Sequence, residues 1–210
     1  SGGHAILQEF IQPIRKDLHR DLVVRFETPP GIQAQVDWAE RFDRIQYNGQ
    51  WRSLNLFVMT MGYSRYMTGE FTVSQRLEVL EECHIRAFRE IGGITKEILY
   101  DNMKTVILDP DKQILNPKFL DFAGHYGFAP KFCQPYRAQT KGKVERVIGY
   151  IRDNFYKGRI FSDLGHLNRM FVGWLRETAN KRIHGTTYEV PEIRLAAEQP
   201  HLISIEGKRD

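Results

Sequence analysis

The sequence predicts an α/β fold in which a mixed β-sheet is flanked by helices. The first observation behind this prediction is a run near residue 32 that alternates apolar and polar side chains, the period of a strand. The second is a later run in which apolar residues recur every three or four positions, the period of a helix. The third is the order of elements, because helices and strands alternate after three opening strands, which favours parallel pairing later in the chain.

Three consecutive strands open the predicted sheet. Residues 32–38 alternate strictly between apolar and polar side chains. Asn48 and Gly49 form a strong hairpin signal, since both tolerate the positive φ angles of a type I′ turn. They lead into residues 51–61, which become apolar on both faces as in a central strand, and residues 64–72 supply the third strand.

The rest of the chain predicts alternating helices and strands. Gly92 and Gly93 end the first helix, and Asn116-Pro117 begins the second, with proline at the first helical position. The predicted elements, in order, are a helix over 75–91, a strand over 96–101, a helix over 116–126, a short strand within 128–136, and helices over 140–156 and 163–182.

Composition restricts the class of protein. The net charge of +4 favours a polyanionic partner, and basic residues concentrate between Lys131 and Arg159. The two cysteines, Cys83 and Cys133, form no C-x-x-C pair, which argues against a disulfide framework or a Cys-rich zinc site and fits a reducing, cytosolic setting. We expect both thiols to be free. We also expect no signal peptide and no membrane partner, since no apolar run approaches the ~20 residues that cross a bilayer.

Isolated aromatic and imidazole side chains are interpreted as packing residues. Trp38 and Trp51 lie in predicted strands, and Trp174 lies in the last predicted helix, so we expect all three to be buried. His84 and His125 stand alone in apolar surroundings and are interpreted as core or surface packing rather than as ligands.

Three carboxylates stand at informative places. Asp37 lies on the polar face of the first strand, Asp101 ends the fourth, and Glu145 lies one turn into the helix over 140–156. Strands one and four are neighbours if the chain crosses over beside the first strand, and the helix then brings its acid to the same end. Converging acids repel one another, and a divalent cation relieves that repulsion. Hard oxygen ligands select Mg²⁺ or Mn²⁺.

The residues alone leave other interpretations open, because a chain with 26 acidic residues always offers some triple. Asp37 fits a solvated strand residue, and Asp101 fits a turn or cap. Glu145 fits an exposed helix residue that pairs with Lys141 one turn earlier.

Three sequence strings surround these acids: QAQVDW, ILYDNMKTV and PYRAQTKGKVERVIGYIRDNF. Together they resemble the DDE recombinase family, and most closely the IS21-type bacterial transposases. The resemblance implies a ribonuclease-H-like fold with a mixed five-stranded sheet flanked by helices. On this basis residues 1–30 are interpreted as a scar and lead-in linker, 31–160 as the catalytic core, and 161–210 as a C-terminal helical extension and tail.

The resemblance implies a polynucleotidyl transferase that cleaves DNA and joins the resulting 3′-OH to target DNA during transposition. It assigns Asp37, Asp101 and Glu145 as catalytic metal ligands for Mg²⁺, with Mn²⁺ as a substitute and two ions in the site. Two alternatives remain: a structure-directed nuclease of the same fold, such as an RNA–DNA hybrid nuclease, and a non-catalytic nucleic-acid-binding module.

The implied partners are double-stranded DNA, both transposon ends and target, an AAA+ ATPase helper, and further copies of the chain on DNA. The implied location is the bacterial cytoplasm, in association with the nucleoid. No helix-turn-helix is evident before residue 32, so we expect a catalytic-domain fragment of a longer protein.

Bases and glycines around the third acid suggest a DNA surface. Lys141, Gly142, Gly149 and Arg152 are helical neighbours of Glu145, where bases can hold phosphates and glycines let a DNA backbone approach. A solvated basic face is the alternative. The candidate DNA contacts are Asn102, Lys104, Tyr136, Arg137, Lys141, Lys143, Arg146 and Arg152.

Overall fold

The computed structural model describes residues 28–101, 103–109, 114–132 and 147–208. Its central feature is a five-stranded sheet in the order β3-β2-β1-β4-β7, beside a separate two-stranded pair of β5 and β6. The strands are β1 (Gln33–Tyr47), β2 (Gln50–Met61), β3 (Met67–Thr72), β4 (Glu97–Tyr100), β5 (Ile107–Asp109), β6 (Ile114–Leu115) and β7 (Ala129–Phe132).

The pairing confirms the predicted mixed sheet. β1, β2 and β3 pair antiparallel as a meander, whereas β4 runs parallel to β1 and β7 runs parallel to β4. β1 is longer than predicted because it continues past a bulge and pairs with β2 as far as the turn. At that turn Asn48 and Gly49 both have positive φ angles, 49° and 75°, as a type I′ hairpin requires.

Helices cover both faces of the sheet. Two of them are α-helical at first and end in a single π-helical turn. The helices are α1 (Leu77–Ile91), α2 (Pro117–Tyr126), α3 (helical over 147–151, then a π-turn over Arg152–Tyr156), α4 (Leu164–Trp174, then a π-turn over Leu175–Ala179) and α5 (Pro191–Glu198, then a 3₁₀ turn over Gln199–His201). Within the described ranges, no helix is both long enough and apolar enough to cross a membrane.

Two apolar clusters lie on opposite sides of the sheet. The first cluster joins the sheet to α1 and α2 and contains Trp38. The second joins it to α3 and α4 and contains Trp174. Both tryptophans are buried as predicted. Cys83, in the first cluster, carries a free buried thiol, and Cys133 lies outside the described residues.

The prediction that Trp51 is buried is wrong, since it is 63% exposed. It lies in the part of the β1–β2 hairpin beyond the bulge, paired with Gln46. Ile45 and Leu54 lie on the opposite face of this hairpin and are buried in the second cluster. Alternation therefore turns Trp51 to the face that no described helix covers.

The C-terminal helices protect the edge strand β3. The Asn180 side chain accepts from the Met67 N–H and donates to the Met67 carbonyl, at 2.9 and 2.8 Å. Asn168 bonds in the same two ways to Phe71, at 2.7 and 2.9 Å. Each amide thus takes the place of a neighbouring strand, which blocks edge-to-edge pairing with another chain.

A buried carboxylate fastens α5 to the start of the sheet. Glu198 is fully buried and accepts hydrogen bonds from the backbone N–H groups of Gly31 and Ser64, both at 3.1 Å. Gly31 has a φ of 71°, and a Cβ there would lie 2.3 Å from the His201 carbonyl oxygen. The position therefore requires glycine, and the start of β1 is held against the C-terminal segment.

Candidate metal and DNA site beside β1 and β4

Asp37 and Asp101 lie at adjacent positions on neighbouring strands. Val36 pairs with Tyr100 in the parallel register of β1 and β4, and each acid follows its strand's paired residue directly. Neighbouring strands are ~4.8 Å apart, so the two carboxylates can share a cation. Both residues are half-buried. The predicted adjacency of the first and fourth strands is thus confirmed.

Asp37 faces the side of the sheet that carries α3. It pairs with Val58 of β2, and Val58 packs in the second apolar cluster with Ile151 of α3. Glu145 lies outside the described residues, two positions before Val147, which lines a cleft together with Asp37. Among the described residues, no three acidic, histidine or cysteine side chains are grouped to hold a metal. The third ligand stays a prediction.

A buried hydrogen-bond chain fixes the strand end that presents Asp101. The Tyr100 hydroxyl lies 2.8 Å from His84 Nε2, and His84 Nδ1 lies 2.7 Å from the Leu80 carbonyl oxygen. Burial lowers the pKa of His84 to about 4, so the ring is neutral at pH 7. Nδ1–H therefore donates to Leu80, and Nε2 accepts from Tyr100. Sequence reasoning correctly placed His84 as a packing residue but missed this contact to the residue before Asp101.

A cleft of about 200 Å³ lies between the sheet and α3. Gln33, Gln35 and Asp37 project into it from every second position of β1, and Tyr150 lines it from α3. The strand following in the sheet, β4, contributes Leu99. The first of the predicted metal ligands is therefore one of three polar side chains along the floor of a cleft rather than an isolated exposed acid.

The segment after α4 supplies basic side chains to the same cleft. Arg182 lies over the Tyr150 ring, 3.6 Å from guanidinium carbon to ring centroid, and His184 lies two residues further on. His184 Nδ1 accepts from the Thr186 N–H at 3.2 Å. Sequence analysis missed Arg182 and His184. The local signal is the basic run KRIH at residues 181–184, shortly after α4.

The candidate DNA contacts divide into described and undescribed residues. Lys104 is exposed after β4, and Arg152 is exposed on α3 with its guanidinium carbon 4.6 Å from the Phe42 ring centroid. An added Cβ at Gly149 would meet nothing within 4 Å, so the chain's own packing does not require that glycine. Outside the described residues lie Asn102, Tyr136, Arg137, Lys141, Gly142, Lys143 and Arg146.

Comparison with known proteins decides the family. The Integrase core domain family matches residues 27–138. The chain belongs to the integrase core domain family. It is 45% identical over 200 residues to a putative transposase for insertion sequence element IS5376 of Geobacillus stearothermophilus, and 40% identical over 205 residues to the transposase for IS21 of Pseudomonas aeruginosa. The predicted relation to IS21-family transposases is confirmed.

The alignments cover 94% and 96% of this chain but only 50% and 52% of those relatives. This integrase core domain chain therefore spans about half the length of the curated relatives it matches. It corresponds to the part of those transposases that contains the integrase core domain. A structure-directed nuclease and a non-catalytic binding module are not favoured.

Solved structures confirm the predicted ribonuclease-H-like fold. The catalytic core domain of BIV integrase superposes with a TM-score of 0.54 at 16% identity, over 81% of this chain and 97% of that chain. A chain of the simian T-cell lymphotropic virus intasome in complex with PP2A regulatory subunit B56 gamma gives a TM-score of 0.53, also at 16% identity, over 79% of this chain and 54% of that chain. At these identities the likeness shows the fold alone.

Proposed function

We propose that this domain cleaves a DNA strand and transfers the resulting 3′-OH to target DNA, with Asp37, Asp101 and Glu145 as its metal ligands. The observation that carries the proposal is the parallel register that pairs Val36 with Tyr100 and so sets the first two acids side by side. The reaction is an in-line phosphoryl transfer. Water frees the 3′-OH, which then attacks the target phosphate without a covalent protein intermediate.

The donor set fits a hard divalent cation. Transposases and integrases of this family normally use divalent metals. Asp37 and Asp101 offer carboxylate oxygens from rigid neighbouring strands, which is the ligand type of Mg²⁺ and Mn²⁺. Two bound ions would supply charge stabilisation to both the attacking and the leaving oxygen. We propose Mg²⁺ as the ion in use, with Mn²⁺ able to replace it.

The chain's own residues position the reacting groups. The sheet holds the Asp37 backbone between β2 and β4, and the His84–Tyr100 hydrogen bond holds the end of β4. Such rigidity matters because an in-line transfer depends on orientation to within about 1 Å. Arg152 and Lys104 are exposed bases that we assign to phosphates flanking the reaction site, together with the undescribed contacts named above.

The substrates and partners follow from the same proposal. The domain acts on double-stranded transposon ends and target DNA, as a multimer assembled on DNA, with an AAA+ ATPase helper that selects the target. The setting is the bacterial cytoplasm, at the nucleoid. The division into lead-in (1–30), catalytic core (31–160) and C-terminal extension (161–210) is part of this proposal.

The test is a strand-transfer assay with the full-length protein and its own DNA ends. Asp37→Asn, Asp101→Asn and Glu145→Gln each remove a charged ligand oxygen and keep the side chain's shape. We expect each to lower the joining rate by at least about 100-fold. Glu40→Gln is the matched control, an exposed acid on β1 three residues beyond Asp37, and should join at the unaltered rate.

The products separate the alternatives. Cut but unjoined DNA at saturating target would identify a nuclease, and mobility shifts without chemistry would identify a binding module. A Glu145→Gln protein that joins at the unaltered rate would remove the third ligand from the proposal while leaving the first two.

A further inference from the structure

We propose that the cleft lined by Gln35, Tyr150, Arg182 and His184 binds a DNA backbone phosphate that neighbours the reacting phosphate. This rests on the proposed function and extends it, because it gives the C-terminal segment a direct part in holding substrate. Arg182 is the main binding residue.

Two buried donors in the cleft lack an acceptor. Among the described residues, Gln35 Nε2 and Arg182 Nε are buried side-chain nitrogens without a hydrogen-bond partner. Buried polar atoms are nearly always paired, so such atoms in a polar cleft indicate a ligand or ordered water. Both are N–H donors, and the group that satisfies two donors is an acceptor, such as a phosphate oxygen.

The electrostatics of the cleft favour an anion. Burial, and then the charges of three nearby guanidinium groups, lower the pKa of His184 to about 4. These groups belong to Arg65, Arg182 and Arg194. Arg65 and Arg182 line the cleft itself and contribute two positive charges to it. Asp37 is the one acid among the described lining residues.

The neutral imidazole of His184 adds a further donor. Its Nδ1 accepts from the Thr186 N–H. The proton of the neutral ring therefore lies on Nε2, which leaves a donor on the remaining nitrogen. A neutral ring contributes a hydrogen bond without adding to the charge that Arg182 already supplies.

Tyr150 sets the direction of the main donor. The Arg182 guanidinium carbon lies over the Tyr150 ring, 3.6 Å from its centroid. This contact restrains the position of the guanidinium, whose N–H groups form the fork that can meet two oxygens of one phosphate. Tyr150 of α3 and Asp37 of β1 both line the cleft, so the cleft and the proposed metal site share one wall.

The dimensions match a DNA strand. A cleft of about 200 Å³ is several times the ~30 Å³ that one water occupies in the liquid. From Gln33 to Asp37, β1 advances ~13 Å at ~3.3 Å per residue. Consecutive phosphates of one DNA strand advance ~3.4 Å along the helix axis, so this length exceeds one nucleotide step. A strand held at Asp37 therefore brings neighbouring phosphates over the cleft, which favours DNA over a free anion.

The experiment measures binding of a labelled duplex oligonucleotide by fluorescence anisotropy, in EDTA so that metal plays no part. Arg182→Gln is compared with Lys181→Gln, the same charge change at an adjacent exposed residue that is already paired with Glu177. We expect Arg182→Gln to weaken binding about tenfold and to lower the slope of log K against log[salt] by about one. Lys181→Gln should change affinity less than about twofold.

Two further variants keep the result independent of folding. Arg182→Lys keeps the charge without the planar fork and should lie between the unaltered protein and Arg182→Gln. Gln35→Leu removes the other buried donor and should weaken binding about threefold even if Arg182→Gln proves too unstable to measure.

Equal affinities and equal salt slopes for Arg182→Gln and Lys181→Gln would overturn the proposal. So would stabilisation by inorganic phosphate that depends on Arg182 while duplex binding stays unchanged, since that result identifies a site for a free anion. Because binding is measured without metal, failure here leaves the proposed ligands untouched. If the Asp37→Asn and Asp101→Asn proteins join DNA at the unaltered rate, the proposed ligands are wrong, but the binding result still holds.

Discussion

The two faces of the sheet differ in what they bury. The face under α1 and α2 is packed with aromatic rings around His84, whose two ring nitrogens are both hydrogen-bonded. The face under α3 has an apolar cluster at one end and a cleft at the other, and Gln33, Gln35 and Asp37 form a polar row on the floor of that cleft. Packing on the first face fixes strand positions, and this leaves the second face free to keep polar groups for substrate.

The largest expected effect is on the free energy of unfolding, which should depend on the first face much more than on the cleft. Phe88 is 1% exposed in the first cluster, and Phe88→Ala should lower the free energy of unfolding by ~3–5 kcal/mol because it leaves a cavity. Gln35→Ala in the cleft should change it by less than ~1 kcal/mol, since it removes a buried donor that has no partner. Urea titration measures both. Comparable losses would mean that the cleft face is packed as tightly as the other.

The buried hydroxyl of Tyr100 connects the two faces, because Tyr100 bonds to His84 on one face and directly precedes Asp101. Tyr100→Phe leaves His84 Nε2 without its donor and should cost ~1–3 kcal/mol of unfolding free energy. It should also weaken the stabilisation that Mn²⁺ gives, because Asp101 follows directly on the strand. A thermal melt with and without Mn²⁺ separates these effects. If the gain from Mn²⁺ equals that of the unaltered protein, Tyr100 serves stability only.

The sequence predicts the parts of this architecture that local patterns encode. Asn48-Gly49 identified the hairpin, and strand order with chain direction placed Asp37 beside Asp101. Alternation shows which face Trp51 occupies, but it does not show whether another element covers that face. Arg182 and His184 follow α4, and Asn168 and Asn180 dock α4 and its end on β3 through contacts about 100 residues apart that no local period encodes.

The smallest expected effect is a difference in how salt changes the lowered pKa values of His84 and His184. Burial alone lowers the pKa of His84, to about 4, whereas nearby guanidinium charges contribute at half-buried His184. Salt screens charges more than it changes burial. In an NMR titration, raising NaCl from about 0.05 M to about 1 M should therefore raise the pKa of His184 and leave that of His84 unchanged. Equal shifts would show that charge does not distinguish the faces.

The same titration has a consequence for acid stability. Because the folded-state pKa of His84 is below its unfolded value of 6.5, the unfolded chain binds more protons between those values. Stability from this group is complete above pH 6.5 and is lost as pH falls towards 4, by ~3 kcal/mol in all. His84→Gln should flatten the pH dependence of the melting temperature across this window. An unchanged slope would show that another group controls it.

Anomalous diffraction from crystals soaked in Mn²⁺ would show whether Asp37, Asp101 and Glu145 hold one metal site. We expect manganese peaks between Asp37 and Asp101, with the Glu145 carboxylate completing the coordination. Crystals of the Asp101→Asn variant should lose or weaken these peaks. Manganese bound elsewhere, with the two strand acids turned apart in the presence of the ion, would contradict it.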